Sequence, residues 1–219
     1  MSYENVVVKK PWGYEYLVYE NDDVGLWLLR IESGQSTSMH CHPKKNTGLI
    51  VLNGTAQISF LNNSFTVESP DKMMIRRGLF HSTKAASSGG VFMFEIESPK
   101  IKNDLVRLRD KYGRKAQPYE GKEFETSRTD ECLFLGDDDY QKGPFTFCGR
   151  NLELKKLSSQ SDLSHISEED ILMCFRGGLT NEGKDPIYQP GDVVVGKIFK
   201  QLSEEFEVVE NSLILVVSQ

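Results

Sequence analysis

Residues 34–54 read GQSTSMHCHPKKNTGLIVLNG, and this stretch decides the fold. His40 and His42 stand at i and i+2. On a β-strand that spacing puts both imidazoles on one face, roughly 6.5 Å apart along the chain. The apolar run from Gly48 to Asn53 then reads as a buried strand, with Gly54 at its joint to the next, Thr55 to Phe60. Asn62-Asn63 supplies a hairpin turn, since asparagine tolerates positive φ.

Working outward, Tyr14 to Glu20, Gly25 to Glu32, Phe65 to Val67, Lys72 to Arg76 and Val91 to Glu97 complete a set of short strands separated by turn residues. That pattern predicts an all-β sandwich or barrel. Ile101, Leu105 and Leu108 recur at helical spacing, with Asn103 or Asp104 as a cap and Gly113 as a stop, so residues 101–112 are expected to form a short helix. Residues 116–130 are polar and carry Pro118, Gly121 and Ser127, which suits a linker between domains 1–115 and 131–219.

Strand signals return at Leu152 to Leu157, Ile171 to Phe175, Val193 to Phe199 and Leu213 to Val217. Leu52-Asn53-Gly54 precedes Pro70-Asp71 much as Phe175-Arg176-Gly177 precedes Pro190-Gly191-Asp192, with Gly-to-Asp offsets of 17 and 15. Two related barrels in one chain, the second degenerate, would explain this; a chance likeness of turns is the competing reading. At the positions matching His40, His42 and Thr47 the second half offers Leu163, His165 and Asp170, a poor ligand set.

The 219 residues carry 38% hydrophobic and 26% charged side chains, as in ordinary globular domains, and a formal net charge of −6. A clustered basic face is what phosphate binding needs, so nucleic acid is not the expected partner. No stretch approaches the roughly 18 apolar residues that span a bilayer, and Met1 to Lys10 lacks an apolar leader core, so no membrane association and a cytoplasmic location are expected. The four cysteines form no CxxC pair and are expected to be free thiols.

Three of the four histidines, His40, His42 and His81, fall where neighbouring strands can bring them together, and neutral imidazole is a common ligand for borderline cations. An HxH alone also occurs on solvated strand faces. The wider spacing is more telling: Gly34, five residues, His40, one residue, His42, four residues, Thr47, six residues, Gly54, then Asp71, Gly78 and His81. This resembles the two motifs of the cupin superfamily. More narrowly, Lys10-Pro11-Trp12-Gly13-Tyr14-Glu15, Met39-His40, Val51 to Ala56, Gly78 to His81 and Asp104 to Arg114 resemble the cupin domain of type II mannose-6-phosphate isomerases. That domain is also the C-terminal part of bifunctional mannose-1-phosphate guanylyltransferases. The resemblance covers roughly residues 8–115.

The resemblance implies a cupin-like jelly-roll barrel, with a divalent ion (Zn, Fe, Mn or Ni) on His40, His42 and His81. It implies a metal-dependent sugar or sugar-phosphate isomerase acting on a small-molecule substrate, and a homodimer. Arg107 would bind phosphate or assist catalysis, since a guanidinium makes paired bonds to phosphate. Lys10 and Trp12 would frame the pocket mouth, and Arg76, with Lys44, Lys45 and Arg77, would attract an anion. Two departures stand out. Thr47 occupies the place of the family's metal-binding glutamate, and Arg76 that of a proline common in cupins. A three-histidine set also suits a non-haem iron dioxygenase, and a lost ligand suits a non-catalytic carbohydrate-binding cupin. No general base is identifiable.

Overall fold

The computed structural model describes residues 3, 5–101, 103–114, 122–182 and 185–219. Its first half is an antiparallel β-barrel, as the strand pattern predicts. Strands β1 (Val6–Lys10), β2 (Gly13–Glu20), β3 (Gly25–Ile31), β4 (Met39–Cys41), β5 (Asn46–Asn53), β6 (Thr55–Ser59), β7 (Ser64–Glu68), β8 (Asp71–Ile75), β9 (Ser82–Ala85) and β10 (Val91–Ser98) follow in order. Then come β11 (Val106–Arg109) and β12 (Glu125–Ser127). One wall is an antiparallel sheet in the order β12-β1-β2-β3-β10-β5-β8. The other joins β7-β6-β9 to the pair β11-β4 through a bridge between His40 and His81.

Strands β3, β5 and β10 are apolar almost throughout because both faces of their sheet are covered. Leu29, Ile31, Leu49, Val51 and Met93 point into the barrel against Ala56, Ile58, Val67 and Ala85 of the opposite wall. The alternate residues Leu26, Leu28, Ile50, Leu52, Phe94 and Ile96 point outward. There they meet Leu152, Leu154, Met173, Phe175, Leu213, Leu215 and Val217 of the second half in one continuous core. Between the halves, Tyr19 stacks on Phe175 at 4.2 Å, and Asp137 accepts hydrogen bonds from Tyr19 and Arg176 at 2.6 and 2.7 Å.

The second half consists of β13 (Phe145–Phe147), β14 (Arg150–Leu157), β15 (Ile171–Arg176), β16 (Leu179–Asn181), β17 (Asp185–Tyr188), β18 (Val193–Val195), α1 (Gly196–Glu205), β19 (Glu207–Val208) and β20 (Ser212–Ser218). A five-stranded sheet, β13-β14-β20-β15-β18, stands between the shared core and a third core. In that third core Leu172, Cys174, Ile214 and Val216 meet Phe199 of α1 and Tyr188.

Two expectations need correction. Residues 101–112 contain no helix among the described residues: Val106–Arg109 pairs with β4, placing Val106 opposite Cys41 and Arg107 opposite His40. Pairing with β4 satisfies backbone groups that a helix would have bonded internally, so tertiary context overrides a short helical spacing. Conversely, the strand expected over Val193 to Phe199 stops at Val195, and α1 follows. Gly196, Phe199 and Ser203 form the helix's buried face, a spacing that a strand register would have scattered over both faces.

Of the linker expected over 116–130, residues 116–121 lie outside the described residues, and Glu125–Ser127 pairs with β1 as the edge of the barrel wall. Among the described residues no helix is long and apolar enough to cross a membrane.

Candidate metal centre

His40 ends up beside His81 because their backbones pair: each amide donates to the other's carbonyl, at 3.0 and 2.8 Å. His42 follows two residues on, with its ring centroid 5.0 Å from that of His40 and 5.7 Å from that of His81. The ligating nitrogens of all three lie within 4.8 Å of one another. All three residues are buried.

Each ring is oriented by its other nitrogen. His40 Nδ1 meets the Ser38 carbonyl at 2.7 Å, His42 Nδ1 the Asp104 carbonyl at 2.5 Å, and His81 Nδ1 the Leu79 carbonyl at 2.9 Å. A carbonyl only accepts, so every Nδ1 carries the hydrogen and every Nε2 keeps its lone pair. His42 Nε2 is buried without a hydrogen-bond partner. A buried, unsatisfied acceptor is costly, and a cation would satisfy it. Burial pushes the pKa of His40 well below its usual range, helped by His81 and His42. It pushes His42 down to about 3, helped by Lys45, and lowers His81. The rings are therefore neutral near pH 7, the form a metal requires. The donor set fits a borderline divalent cation.

His40 and His42 line a cavity of about 570 Å³ inside the barrel, and His81 stands beside them through its pairing with His40. The structure brings Lys10, Trp12, Arg107 and Arg114 to the same cavity. Lys10 pairs with Glu15 at 3.0 Å, Arg107 Nε donates to Ser38 Oγ at 3.2 Å, and Arg114 pairs with Asp110 at 2.9 Å. Arg76 is exposed and does not line the cavity, and Lys44 and Arg77 are likewise exposed. Cys41 is buried, a free thiol, and outside the lining; burial raises its pKa, so it carries little thiolate.

Sequence reasoning missed Glu95 and Glu97. Both lie on the inward face of β10 and line the cavity, and each offers an oxygen that, with the His42 nitrogen, forms a second set within 4.8 Å. The signal was available in FMFEIES: two acids at i and i+2 alternate with Phe94 and Ile96, which puts them on the barrel-facing side of a strand with no solvated face. Glu97 forms an ion pair with the ammonium of Lys45, whose side chain is 1% exposed. Burial raises the pKa of both carboxyls, with Glu97 adding to the rise at Glu95 and Lys45 opposing it at each.

No protein-family model matches the chain. It is similar to the mannose-1-phosphate guanylyltransferase of Klebsiella pneumoniae, 24% identical over 109 residues, which is 49% of this chain and 23% of that protein. The Escherichia coli protein of the same name is 23% identical over 109 residues, again 49% of this chain and 23% of the relative. The match thus spans less than a quarter of these relatives' length. Among solved structures, a cupin-2 domain protein of Shewanella frigidimarina is 24% identical, covering 38% of this chain and 78% of its own, with a TM-score of 0.35. The guanylyltransferase matches agree with the resemblance carried by the segments from Lys10 to Arg114.

Proposed function

We propose that the barrel is a metal-dependent sugar or sugar-phosphate isomerase. The observation that carries this reading is the convergence of three neutral, Nδ1-anchored imidazoles, two of them lining a cavity that also holds carboxyl groups and arginines. A divalent ion on His40, His42 and His81 would act there as a Lewis acid toward a carbonyl and its neighbouring hydroxyl.

The chain's own groups do the rest. Arg107, fixed opposite His40 across β11 and β4, receives the anionic end of the substrate. Lys10 and Trp12, both with little exposed surface, line the cavity beside it. Glu95 carries the proton between neighbouring carbons; a buried carboxyl with a raised pKa is suited to both taking and returning it near neutral pH.

The test is elemental analysis of protein purified without an affinity tag, followed by a panel of aldose and ketose phosphates monitored by NMR in deuterated water. Stoichiometric metal and deuterium incorporation beside the carbonyl are expected. An Arg107→Ala variant should raise KM for phosphorylated substrates about tenfold or more while retaining its metal. Metal-loaded protein that leaves the whole panel unchanged and undeuterated would rule the isomerase out. Oxygen uptake with iron bound would point instead to dioxygenase chemistry.

A further inference from the structure

Lys44 and Lys45 follow His42 on the same loop, yet only the first reaches solvent: Lys44 is exposed, whereas the side chain of Lys45 is 1% exposed. A lysine is almost never so buried unless its ammonium is paired. Lys45 pairs with Glu97 on β10, and its backbone amide is held by the Asp104 carboxylate at 3.0 Å. Glu97 in turn offers an oxygen within 4.8 Å of the ligating nitrogen of His42. The ammonium is thus held one carboxylate away from the histidines, in an interior that screens charge poorly.

Burial aside, Lys45 is the largest single cause holding the His42 pKa down, and it also lowers that of His81. What resists a proton on these imidazoles resists a divalent ion there more strongly, because the repulsion scales with the charge of the ion. Lys45 does not line the cavity, so contact with substrate is not its part.

We propose that Lys45 is a positioning residue that sets the affinity of the metal centre by charge: its ammonium opposes the bound ion from beside His42 and keeps the Glu97 carboxylate engaged. This inference rests on the metal reading above. Lys45 trades affinity for polarising power, since a carboxylate engaged by an ammonium does less to damp the pull of an ion on a carbonyl oxygen.

The test is Co²⁺ titration of metal-free protein by calorimetry. Lys45→Met should tighten binding about tenfold or more, and Lys45→Arg, which keeps the charge, should stay within about threefold of wild type. A residue that merely holds its loop in place would act in the opposite direction, because its loss would weaken binding. Lys45→Met leaves the Glu97 carboxylate without its counter-ion, so the comparison is repeated with that charge removed. The double variant Lys45→Met/Glu97→Gln should bind more tightly than Glu97→Gln by about the same factor. That comparison also decides the matter if Lys45→Met alone fails to fold. Tightening that vanishes in the Glu97→Gln background would mean that Lys45 acts only by occupying Glu97, and the proposal is wrong. It is equally wrong if Lys45→Met binds as wild type or more weakly, or if Lys45→Arg tightens as much as Lys45→Met. Those results, with Co²⁺ binding lost in His42→Ala, leave the metal centre standing and remove only the role of Lys45. If His40→Ala and His42→Ala bind Co²⁺ as tightly as wild type, the metal reading itself fails.

Discussion

The main-chain carbonyl of Asp104 accepts the Nδ1 hydrogen of His42 at 2.5 Å, and the carboxylate of the same residue accepts the amides of Lys44 and Lys45 at 2.8 and 3.0 Å. One buried residue thus fixes both an imidazole and the loop that leaves it. Asp104→Ala strands two amides, each at about 1–3 kcal/mol if it finds no water. It also frees the loop on which His42 is oriented. The expected result is lower stability in urea and about 10–100-fold weaker metal binding, the usual cost of losing a group that orients a ligand. Asp104→Asn keeps an acceptor oxygen and should lie between the two. Metal affinity of Asp104→Ala within threefold of wild type would remove its positioning role.

Metal-free protein should lose stability on acidification, and the direction follows from the histidines. In the unfolded chain each titrates near 6.5, whereas burial holds His42 at about 3, His40 well below its usual range and His81 lower than usual. Between those values the unfolded state binds more protons than the folded state. Stability is therefore full above about pH 6.5 and declines as pH falls toward 3. Urea midpoints measured with a chelator at pH 7, 6, 5 and 4 should fall steadily. A His42→Gln variant should show a shallower decline, and an equal slope would mean that His42 is not buried neutral.

Glu95 acts in the opposite sense. Its folded pKa is raised, chiefly by burial, so the folded state holds a proton that the unfolded carboxylate releases above its ordinary range near 4.5. The cost of Glu95 thus grows as pH rises from about 4.5 toward neutrality and beyond. Glu95→Gln removes the ionisation. It should be more stable than wild type at pH 8, with the gain shrinking to nothing near pH 4.5. Denaturation curves of the two proteins at pH 5 and pH 8 test this, and a pH-independent difference would show that the carboxyl is solvated.

The barrel and the histidines were legible in the sequence because their signals are local. Gly54 takes φ of +89° at the β5–β6 joint, and Asn62-Asn63 sits in the turn between β6 and β7, although neither asparagine takes the positive φ expected of it. The i, i+2 spacing of His40 and His42 put both on one face. The acids were legible in part: their alternation with Phe94 and Ile96 turns them inward, but that Glu97 lies opposite Thr47 rests on a pairing between residues 50 apart that no local pattern announces. Asp104 was read as a helix cap for the same reason. Its carboxylate does accept backbone amides, but those of a loop 59 and 60 residues away. In the second half, Val193 to Phe199 combines a β-branched run with residues that continue at helical spacing, and only packing against the third core decides where one gives way to the other.

How closely the two halves approach is set at Gly48, which has no side chain on the outward face of β5. A Cβ there would lie 2.6 Å from Val193 Cγ2, 2.8 Å from Ile96 Cγ2 and 3.0 Å from Met74 Sδ. Val193 belongs to β18 of the second half, so a methyl group pushes the sheets apart rather than merely crowding one strand. Met74 can rotate away, but the branched side chains of Val193 and Ile96 cannot without leaving their rotamers. Gly48→Ala is therefore expected to destabilise the protein by about 1–3 kcal/mol through overpacking. Gly48→Ala/Val193→Ala should recover part of the loss, because the second change removes the methyl group that the first one meets. Urea denaturation of the two single variants and the double variant forms a thermodynamic cycle, and additive effects would show that residues 48 and 193 do not meet.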